Sequence, residues 1–320
     1  MRKTIITLAL AFMAFAAMAQ SQRESISFNE GWQFAFGDAS SPAKDFGCGT
    51  EYFNYLTKAN SIHNEGPYSS KFDASGWAEV DLPHDWVVDL PYSGEASHSH
   101  GYKTVGYEYP LTSVGWYRKT FTIPAEDYGK HLWLQFDGIF RDARIWVNGF
   151  YVGHEPSGYA TQRYDISEYL NYGGDNLVCV RVDATLEEGW FYEGAGIYRN
   201  VWLNKASKVH VAPSGTFAYS EFAVPYSLRG DASPDFSQAA LHIETTVQNM
   251  GAAPASYTLK HKLVDDLIGK YRTFGQDAGF LDVQLMILKH LTQTCFQLCG
   301  ISGGIFFGTY KSKPLRTNNG

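Results

Sequence analysis

The chain has 320 residues, of which 44% are hydrophobic and 16% aromatic, and it includes 31 glycines. This composition is typical of one or two compact β-rich domains and excludes a wholly disordered chain. The formal net charge of −7 gives no indication of a nucleic-acid partner or of binding to an anionic membrane surface.

The first residues have the pattern of an export signal. Arg2 and Lys3 precede an apolar run over residues 5–18, which ends in the small residues of a cleavage site. We expect a signal peptide over residues 1–19, a mature chain that begins at Gln20, and a periplasmic or secreted location without a stable membrane span. An uncleaved anchor is the alternative. The four cysteines are too sparse to predict a disulfide framework.

Alternating apolar residues predict a series of β-strands after the signal. The first strand is expected near residues 28–34, and the Gly-, Ser- and Asn-rich residues 37–75 are predicted to form a surface loop. A proline at position 83 predicts a short edge strand before it, because proline cannot donate a hydrogen bond to a central ladder. Further strands are predicted over residues 115–123, 132–136 and 177–182. The residues expected to share one face of each strand are Tyr117, Phe121 and Ile123 in the first, Leu132, Leu134 and Phe136 in the second, and Val178, Val180 and Val182 in the third.

The dipeptide Asn148-Gly149 predicts a tight hairpin turn, because both residues readily adopt the positive φ angles of a type I′ turn. A two-residue loop gives three cross-strand pairs: Val147 with Phe150, Trp146 with Tyr151, and Ile145 with Val152. Aliphatic pairs then lie on one face of the hairpin and an aromatic pair lies on the other. Both faces are therefore expected to be buried.

Two short motifs of the chain contain histidine, and neither of them predicts catalysis or metal binding. His84 and Asp85 are adjacent, so they point to opposite sides of an extended chain, and no serine or cysteine motif accompanies them. His98 and His100 form an H-x-H pair without a third ligand at a recognisable spacing. We therefore assign no catalytic residue, no metal ligand and no cofactor.

Residues 183–203 combine acidic residues with a Trp-Phe-Tyr triplet. Rings beside carboxylates are typical of a loop that contacts neutral sugars, whose C–H faces stack on rings while their hydroxyls bond to acids. Trp190 and Tyr192 are therefore candidate carbohydrate-stacking residues. Core packing is the more frequent use of such rings and stays open as the alternative. A last strand of this domain is predicted to begin at Ile197.

The pattern changes twice after this stretch. Lighter alternation and regular turn signals predict the start of an immunoglobulin-like β-sandwich over residues 207–266. Alternation then disappears in residues 267–320, which carry six basic and two acidic residues. We predict that this last segment is an aberrant tail, frameshifted or disordered, and that the gene product is truncated.

Five motifs resemble the N-terminal sugar-binding domain of glycoside hydrolase family 2, in particular of secreted β-galactosidases of the Bacteroidetes type. They are residues 28–34, LPHDW at 82–86, GWYRKTF at 115–121, FDGIFRDARIWVNGFYVG at 136–153 and GAGIYRNVWL at 194–203. The resemblance implies an all-β fold. It consists of a jelly-roll β-sandwich of the galactose-binding type over residues 20–206, followed by an incomplete immunoglobulin-like β-sandwich.

The resemblance also implies a function. Full members of the family hydrolyse O-glycosyl bonds of terminal sugars, often β-galactosides, with two glutamates on a (β/α)₈ barrel of about 250 residues. We expect this chain to lack that barrel, to be a noncatalytic region and to be inactive alone. Glu187, Glu188 and Glu193 match no catalytic motif of the family.

One sugar contact is implied within the chain. Family members can carry an aspartate after the strand that corresponds to residues 177–182, and Asp183 occupies this position. The companion asparagine of some members is not evident in residues 101–115. The implied partner is a galactoside-type carbohydrate. A stand-alone carbohydrate-binding module is one alternative, and a structural role in packing on a glycosidase barrel or in homo-oligomerisation is another.

Overall fold

The computed structural model describes residues 23–47, 66–189, 191–222, 239–264, 271–276, 281–283 and 307–310. Regular structure in these ranges is β-strand apart from single 3₁₀ turns at Trp86–Asp89, His98–His100, Ala125–Asp127 and Ser167–Tyr169. The predicted all-β class is therefore confirmed. Among these residues, no helix has the length and apolar character needed to cross a bilayer.

Residues 24–205 form one compact unit, and the described residues from 206 onward belong to a second. The strands that build the first unit are β1 Arg23–Ser27, β2 Trp32–Phe36, β3 Ala78–Val80, β4 Val114–Ile123, β5 His131–Phe136, β6 Ala143–Val147, β7 Phe150–Glu155, β8 Gln162–Asp165, β9 Gly174–Asp183 and β10 Val201–Ala206. They form a four-stranded sheet in the order β1-β10-β5-β8 and a six-stranded sheet in the order β3-β2-β4-β9-β6-β7. The predicted edge strand, β3, lies at the margin of the larger sheet.

The two sheets bury a common hydrophobic core and so form a β-sandwich. Leu132, Leu134 and Phe136 of β5 contribute the core face of the smaller sheet. Alternate residues of the larger sheet complete the core, among them Tyr117, Phe121, Ile123, Val178, Val180 and Val182. The period-2 alternation in the sequence therefore identified the inward-facing residues of β4, β5 and β9 correctly.

The predicted hairpin is present, with one change of register. Asn148 and Gly149 have φ angles of 51° and 85°, and Val147 pairs with Phe150 and Trp146 with Tyr151. The third predicted pair is wrong, because the register shifts and Ile145 pairs with Gly153 instead of Val152. The ring of Tyr164 occupies the space that a side chain at position 153 would need, with Cε1 only 2.2 Å from an ideal Cβ there. Bulges of this kind re-aim a strand locally.

The predicted surface loop covers the outer face of the larger sheet. Its described parts, residues 37–47 and 66–75, are irregular as expected, yet Tyr68 belongs to a second hydrophobic cluster with Trp116, Trp146 and Cys179. Tyr68 stacks on Trp146 with ring centroids 5.7 Å apart. The larger sheet is therefore covered on both faces around β6, whose residues are all buried. The expectation that the whole hairpin is buried is wrong for β7, because this strand lies at the sheet edge and Phe150 is 46% exposed.

The predicted last strand begins later than expected, since β10 starts at Val201 rather than at Ile197. The intervening residues pair with other segments: His84 donates its backbone N–H to the Ile197 carbonyl, and Gly196 forms an isolated bridge with Phe140. Ile197 is nevertheless fully buried in the core. The apolar pattern at this point reflects burial rather than strand geometry.

The second unit is also made of strands in its described residues. They are β11 Val209–Phe222, β12 Ala239–Asn249, β13 Leu259–Val264, β14 Tyr271–Gln276, β15 Leu281–Val283 and β16 Phe307–Tyr310. They form two three-stranded sheets, β11-β12-β16 and β14-β13-β15. The last three strands fall in the segment predicted to be an aberrant tail. The rest of that segment, like the predicted signal peptide, lies outside the described residues, and both remain predictions.

A buried charge network ties the covering loop to the larger sheet. Arg181, in β9, is 2% exposed and donates from Nε to Asp45 Oδ2 at 2.7 Å and from Nη1 to Asp183 Oδ2 at 3.1 Å. The other oxygen of Asp45 accepts a hydrogen bond from Trp116 Nε1 at 2.7 Å. Burial lowers the pKa of Arg181, but the two carboxylates outweigh that effect and raise it above its ordinary value.

We predict that Arg181→Met lowers the free energy of unfolding by about 3–5 kcal/mol, because it leaves Asp45 buried without a counter-charge. Urea unfolding followed by tryptophan fluorescence measures this unit selectively, since all eight tryptophans lie within residues 32–202. Arg199→Met, at an exposed position, is the matched control and should change stability by less than about 0.5 kcal/mol. Equal losses in the two variants would contradict the prediction.

Candidate functional site

Asp183 lies at one end of the sandwich, where β9 ends and β4 begins. Val114 and Asp183 are register partners, and Ala184 donates its N–H to the Ser113 carbonyl at 2.8 Å. Three loops meet here: residues 97–106, 140–142 and 184–196. We call this region the Asp183 end of the sandwich.

Asp183 is held firmly and keeps partial access to solvent. Its Oδ1 accepts hydrogen bonds from the backbone N–H and the hydroxyl of Thr185, and its Oδ2 accepts from Arg181. The side chain is 15% exposed. Burial opposes ionisation, but the Arg181 guanidinium and the Thr185 hydrogen bonds outweigh it, so the pKa of Asp183 lies below its ordinary value. A fixed, ionised carboxylate with partial access to solvent is suited to accept hydrogen bonds from sugar hydroxyls.

Tyr192, the second predicted site residue, belongs to the same end. It is 49% exposed, and its hydroxyl donates to Asp85 Oδ2 at 2.8 Å. Burial and the Asp85 carboxylate together raise the pKa of Tyr192, which keeps the hydroxyl protonated and able to donate. The third predicted site residue, Trp190, lies outside the described residues.

Glu193 is a buried carboxylate that holds the acidic loop, residues 184–196, in place. It is only 8% exposed, and its Oε1 accepts a hydrogen bond from the Tyr159 hydroxyl at 2.9 Å. Both of its carboxylate oxygens also accept from the backbone N–H of Glu188. The Glu188 side chain in turn pairs with Arg141 at 2.8 Å. These contacts hold the loop of residues 184–196 to Tyr159 and to Arg141.

Two further aromatic rings extend the exposed surface of this end. Tyr159 is 45% exposed and Phe191 is 60% exposed, and their ring centroids lie 6.3 Å apart. Phe191 and Tyr192 are therefore not packed in the core, and the stacking role of Trp190 and Tyr192 stays a prediction. Exposed rings beside ionised carboxylates form a surface of the kind that neutral sugars recognise.

The histidines of this region have structural positions. His84 Nδ1 lies 2.8 Å from the Tyr117 hydroxyl in the core, and burial lowers the pKa of His84. His100 is 1% exposed, and burial lowers its pKa too, although Glu193, Glu187 and Asp85 oppose that shift. Among the described residues, no group of three His, Cys, Asp or Glu side chains is arranged to hold a metal ion.

Sequence reasoning proposed Asp183 and Tyr192 as site residues but did not find the contacts around them. Asp85 accepts from Tyr192, and Glu193 accepts from Tyr159, which follows a different strand from the loop of residues 184–196. Only the concentration of acids and aromatics in residues 183–203 pointed to this region. The contacts of Asp85 with Tyr192 span 107 residues and have no local sequence signal.

Comparisons with known proteins agree with this arrangement. The family model described as glycosyl hydrolases family 2, sugar binding domain, matches residues 26–207. The β-galactosidase BoGH2A of Bacteroides ovatus is 32% identical over 246 residues, which are 77% of this chain and 24% of that protein. A β-glucuronidase of Bacteroides fragilis is 28% identical over 172 residues, which are 50% of this chain and 23% of that protein.

Solved structures are similar as well. A family 2 glycosyl hydrolase from Bacteroides cellulosilyticus aligns with a TM-score of 0.58 and 27% identity, covering 79% of this chain and 29% of that one. A β-glycosidase from Bacteroides vulgatus aligns with a TM-score of 0.59 and 26% identity, covering 79% and 27%. The chain thus spans about a quarter of the length of these relatives, and its match to the family model extends over more than half of its own residues. The chain belongs to glycoside hydrolase family 2 and contains the sugar-binding domain of that family.

Proposed function

We propose that this chain is the carbohydrate-contacting, noncatalytic region of a β-galactosidase-like enzyme, and that Asp183 accepts hydrogen bonds from a terminal neutral sugar. The observation that carries the proposal is the Asp183 carboxylate: it is ionised, fixed by Arg181 and Thr185, and 15% exposed. A hydrogen bond to a charged acceptor contributes roughly 1.5–3 kcal/mol. One such acceptor beside an aromatic ring is sufficient for weak, oriented sugar binding.

The charges at the Asp183 end favour a neutral galactoside over a uronic acid. The acidic residues there are Asp85, Asp183, Glu187, Glu188 and Glu193. The nearby cations are engaged, since Arg141 pairs with Glu188 and Arg181 lies between Asp45 and Asp183. A sugar carboxylate would therefore meet like charges without an available counter-charge from these two arginines. Both β-galactosidases and β-glucuronidases occur among the relatives, so the proposal distinguishes between two substrate classes that their names indicate.

We further propose that catalysis requires residues other than those described at this end. Retaining hydrolysis needs two carboxyl groups about 5 Å apart that face the scissile bond, one as acid/base and one as nucleophile. Here Glu193 accepts from Tyr159 and Glu188, while Glu188 pairs with Arg141. Packing of this region on a catalytic barrel or on a second copy of the chain is part of the proposal. Its support is the set of large apolar side chains exposed at Tyr92, Tyr107 and Leu111.

Calorimetry with methyl β-galactoside should give a dissociation constant of about 1 mM or lower for the full chain, and Asp183→Asn should weaken binding at least about tenfold. Asp175→Asn is the matched control: Asp175 lies at the other end of β9, where it pairs with Thr122, and its replacement should leave affinity unchanged. Methyl β-glucuronide should bind more weakly than the galactoside. Equal effects of the two substitutions would count against the assignment of Asp183.

A chromogenic β-galactoside should release no product above the buffer rate when it is incubated with the purified 320-residue chain. The physical reason is that the glutamates of the acidic loop are engaged as acceptors and lack the facing arrangement that glycoside hydrolysis needs. Turnover that disappears on replacement of Glu188 or Glu193 would overturn this part of the proposal. A variant in which Glu126 is replaced, at the other end of the sandwich, controls for a contaminating glycosidase.

We also propose that the protein is exported, on the strength of Arg2, Lys3 and the apolar run that follows them. Expression in a Gram-negative host followed by fractionation and N-terminal sequencing should recover a chain that begins at Gln20 in the periplasm or the medium. Recovery in the cytoplasm of a chain that begins at Met1 would contradict export.

A further inference from the structure

We propose that Asp85 is a positioning residue for sugar binding: it holds the ring of Tyr192 as a fixed platform at the Asp183 end. The inference rests on the proposed function and deepens it, because it assigns a role to the LPHDW motif. Asp85 itself is not placed in contact with the sugar. It acts through the loop that carries Tyr192.

The two oxygens of the Asp85 carboxylate accept hydrogen bonds from different parts of the chain. Oδ1 accepts from the backbone N–H of Val87 at 3.0 Å and from that of Ala195 at 2.9 Å. Oδ2 accepts from the Tyr192 hydroxyl at 2.8 Å. One oxygen thus joins the 3₁₀ turn after Asp85 to the loop at Ala195, and the other fixes the end of the aromatic side chain. Three donors on one carboxylate make a rigid arrangement, because charged acceptors form the stronger hydrogen bonds.

The Tyr192 ring also lies against the backbone of Gly101. Gly101 follows the His98–His100 turn with a φ angle of 62°, and an added Cβ there would lie 3.0 Å from Cδ2 and 3.3 Å from Cε2 of Tyr192. The ring therefore rests directly on the Gly101 backbone while its hydroxyl is held by Asp85. The loop itself is fixed to the same segment, since Glu193 donates its N–H to the Ser99 carbonyl at 2.9 Å.

This geometry leaves the ring exposed and restrained at once. A tyrosine that is 49% exposed normally samples several rotamers. If a ligand binds only one of them, its apparent affinity falls in proportion to the fraction of time that the ring spends in that rotamer. Holding the ring before the ligand arrives removes that cost. The neighbouring Phe191 is 60% exposed and has no hydroxyl that could be held in this way. Tyr159 is also exposed and held through its hydroxyl by Glu193, so Tyr192 is one of two rings at this end that are restrained before a ligand arrives.

The decisive variant is Tyr192→Phe, which keeps the ring and removes only its hydrogen bond to Asp85. We expect methyl β-galactoside to bind about threefold more weakly, as the loss of a modest hydrogen bond predicts. Tyr192→Ala removes the platform and should weaken binding about five- to tenfold. Tyr128→Ala, an exposed tyrosine at the other end of the sandwich, should leave affinity unchanged.

A double-mutant cycle separates positioning from general support of the fold. Asp85→Ala should weaken binding about tenfold in the unaltered chain but have no further effect in the Tyr192→Ala background, because its action passes through the ring. Asp85→Asn retains an oxygen for the two backbone donors and an amide that can bond the tyrosine hydroxyl, so it should restore affinity to within about threefold. If Asp85→Ala does not fold, Tyr192→Phe and Asp85→Asn decide the question.

The outcomes distinguish this inference from the proposed function. Weaker binding by Tyr192→Phe, together with a non-additive cycle, supports the positioning role. Galactoside binding that is lost in Asp183→Asn but unchanged in Tyr192→Phe, with additive effects of Asp85→Ala and Tyr192→Ala, overturns the positioning role alone. Absence of galactoside binding by the unaltered chain overturns both.

Discussion

The Arg181 guanidinium, buried between Asp45 and Asp183, is the interaction on which the rest of the first unit depends. It joins the loop that covers the outer face of the larger sheet to the strand at the centre of that sheet. Replacement of a whole buried ion pair by apolar residues is often harmless, so stability alone does not account for this arrangement. One guanidinium is shared by two carboxylates, so the three residues together carry a formal charge of −1. The network therefore links the covering loop and the larger sheet to Asp183, at the end of β9.

The loops at the Asp183 end are likewise held by hydrogen bonds to charged side chains. Each accessible group is held by a hydrogen-bonding partner: the Tyr192 hydroxyl donates to Asp85, the Tyr159 hydroxyl donates to Glu193, and Asp183 accepts from Arg181. The acidic residues of this end thus divide into Glu193, which is buried, and Asp183, Glu187 and Glu188, which keep access to solvent. Membership in glycoside hydrolase family 2 gives this surface its context, because the matched domain is the sugar-binding one. The exposed rings and the Asp183 carboxylate are the groups through which such a domain would contact a neutral sugar.

Much of the sandwich could be predicted from the sequence because alternation and turn residues are local signals. They identified β4, β5 and β9, the hairpin at Asn148-Gly149 and the inward-facing side chains. The bulge after Ile145 could not be predicted, since it depends on the Tyr164 ring packing over Gly153 from another strand. Arg181 and its partner Asp45 are 136 residues apart along the chain, and Asp85 and Tyr192 are 107 residues apart. Such contacts follow from the packed fold and leave no periodic pattern.

The most direct test of the account is a crystal structure of the full chain with methyl β-galactoside bound. We predict that at least one sugar hydroxyl lies within hydrogen-bonding distance of the Asp183 carboxylate and that a C–H face of the sugar lies against the ring of Tyr192. The hydrogen bond between Tyr192 and Asp85 should be unchanged by the ligand. A galactoside bound elsewhere, such as beside the stacked rings of Tyr219 and His242 in the second unit, would contradict the central claim.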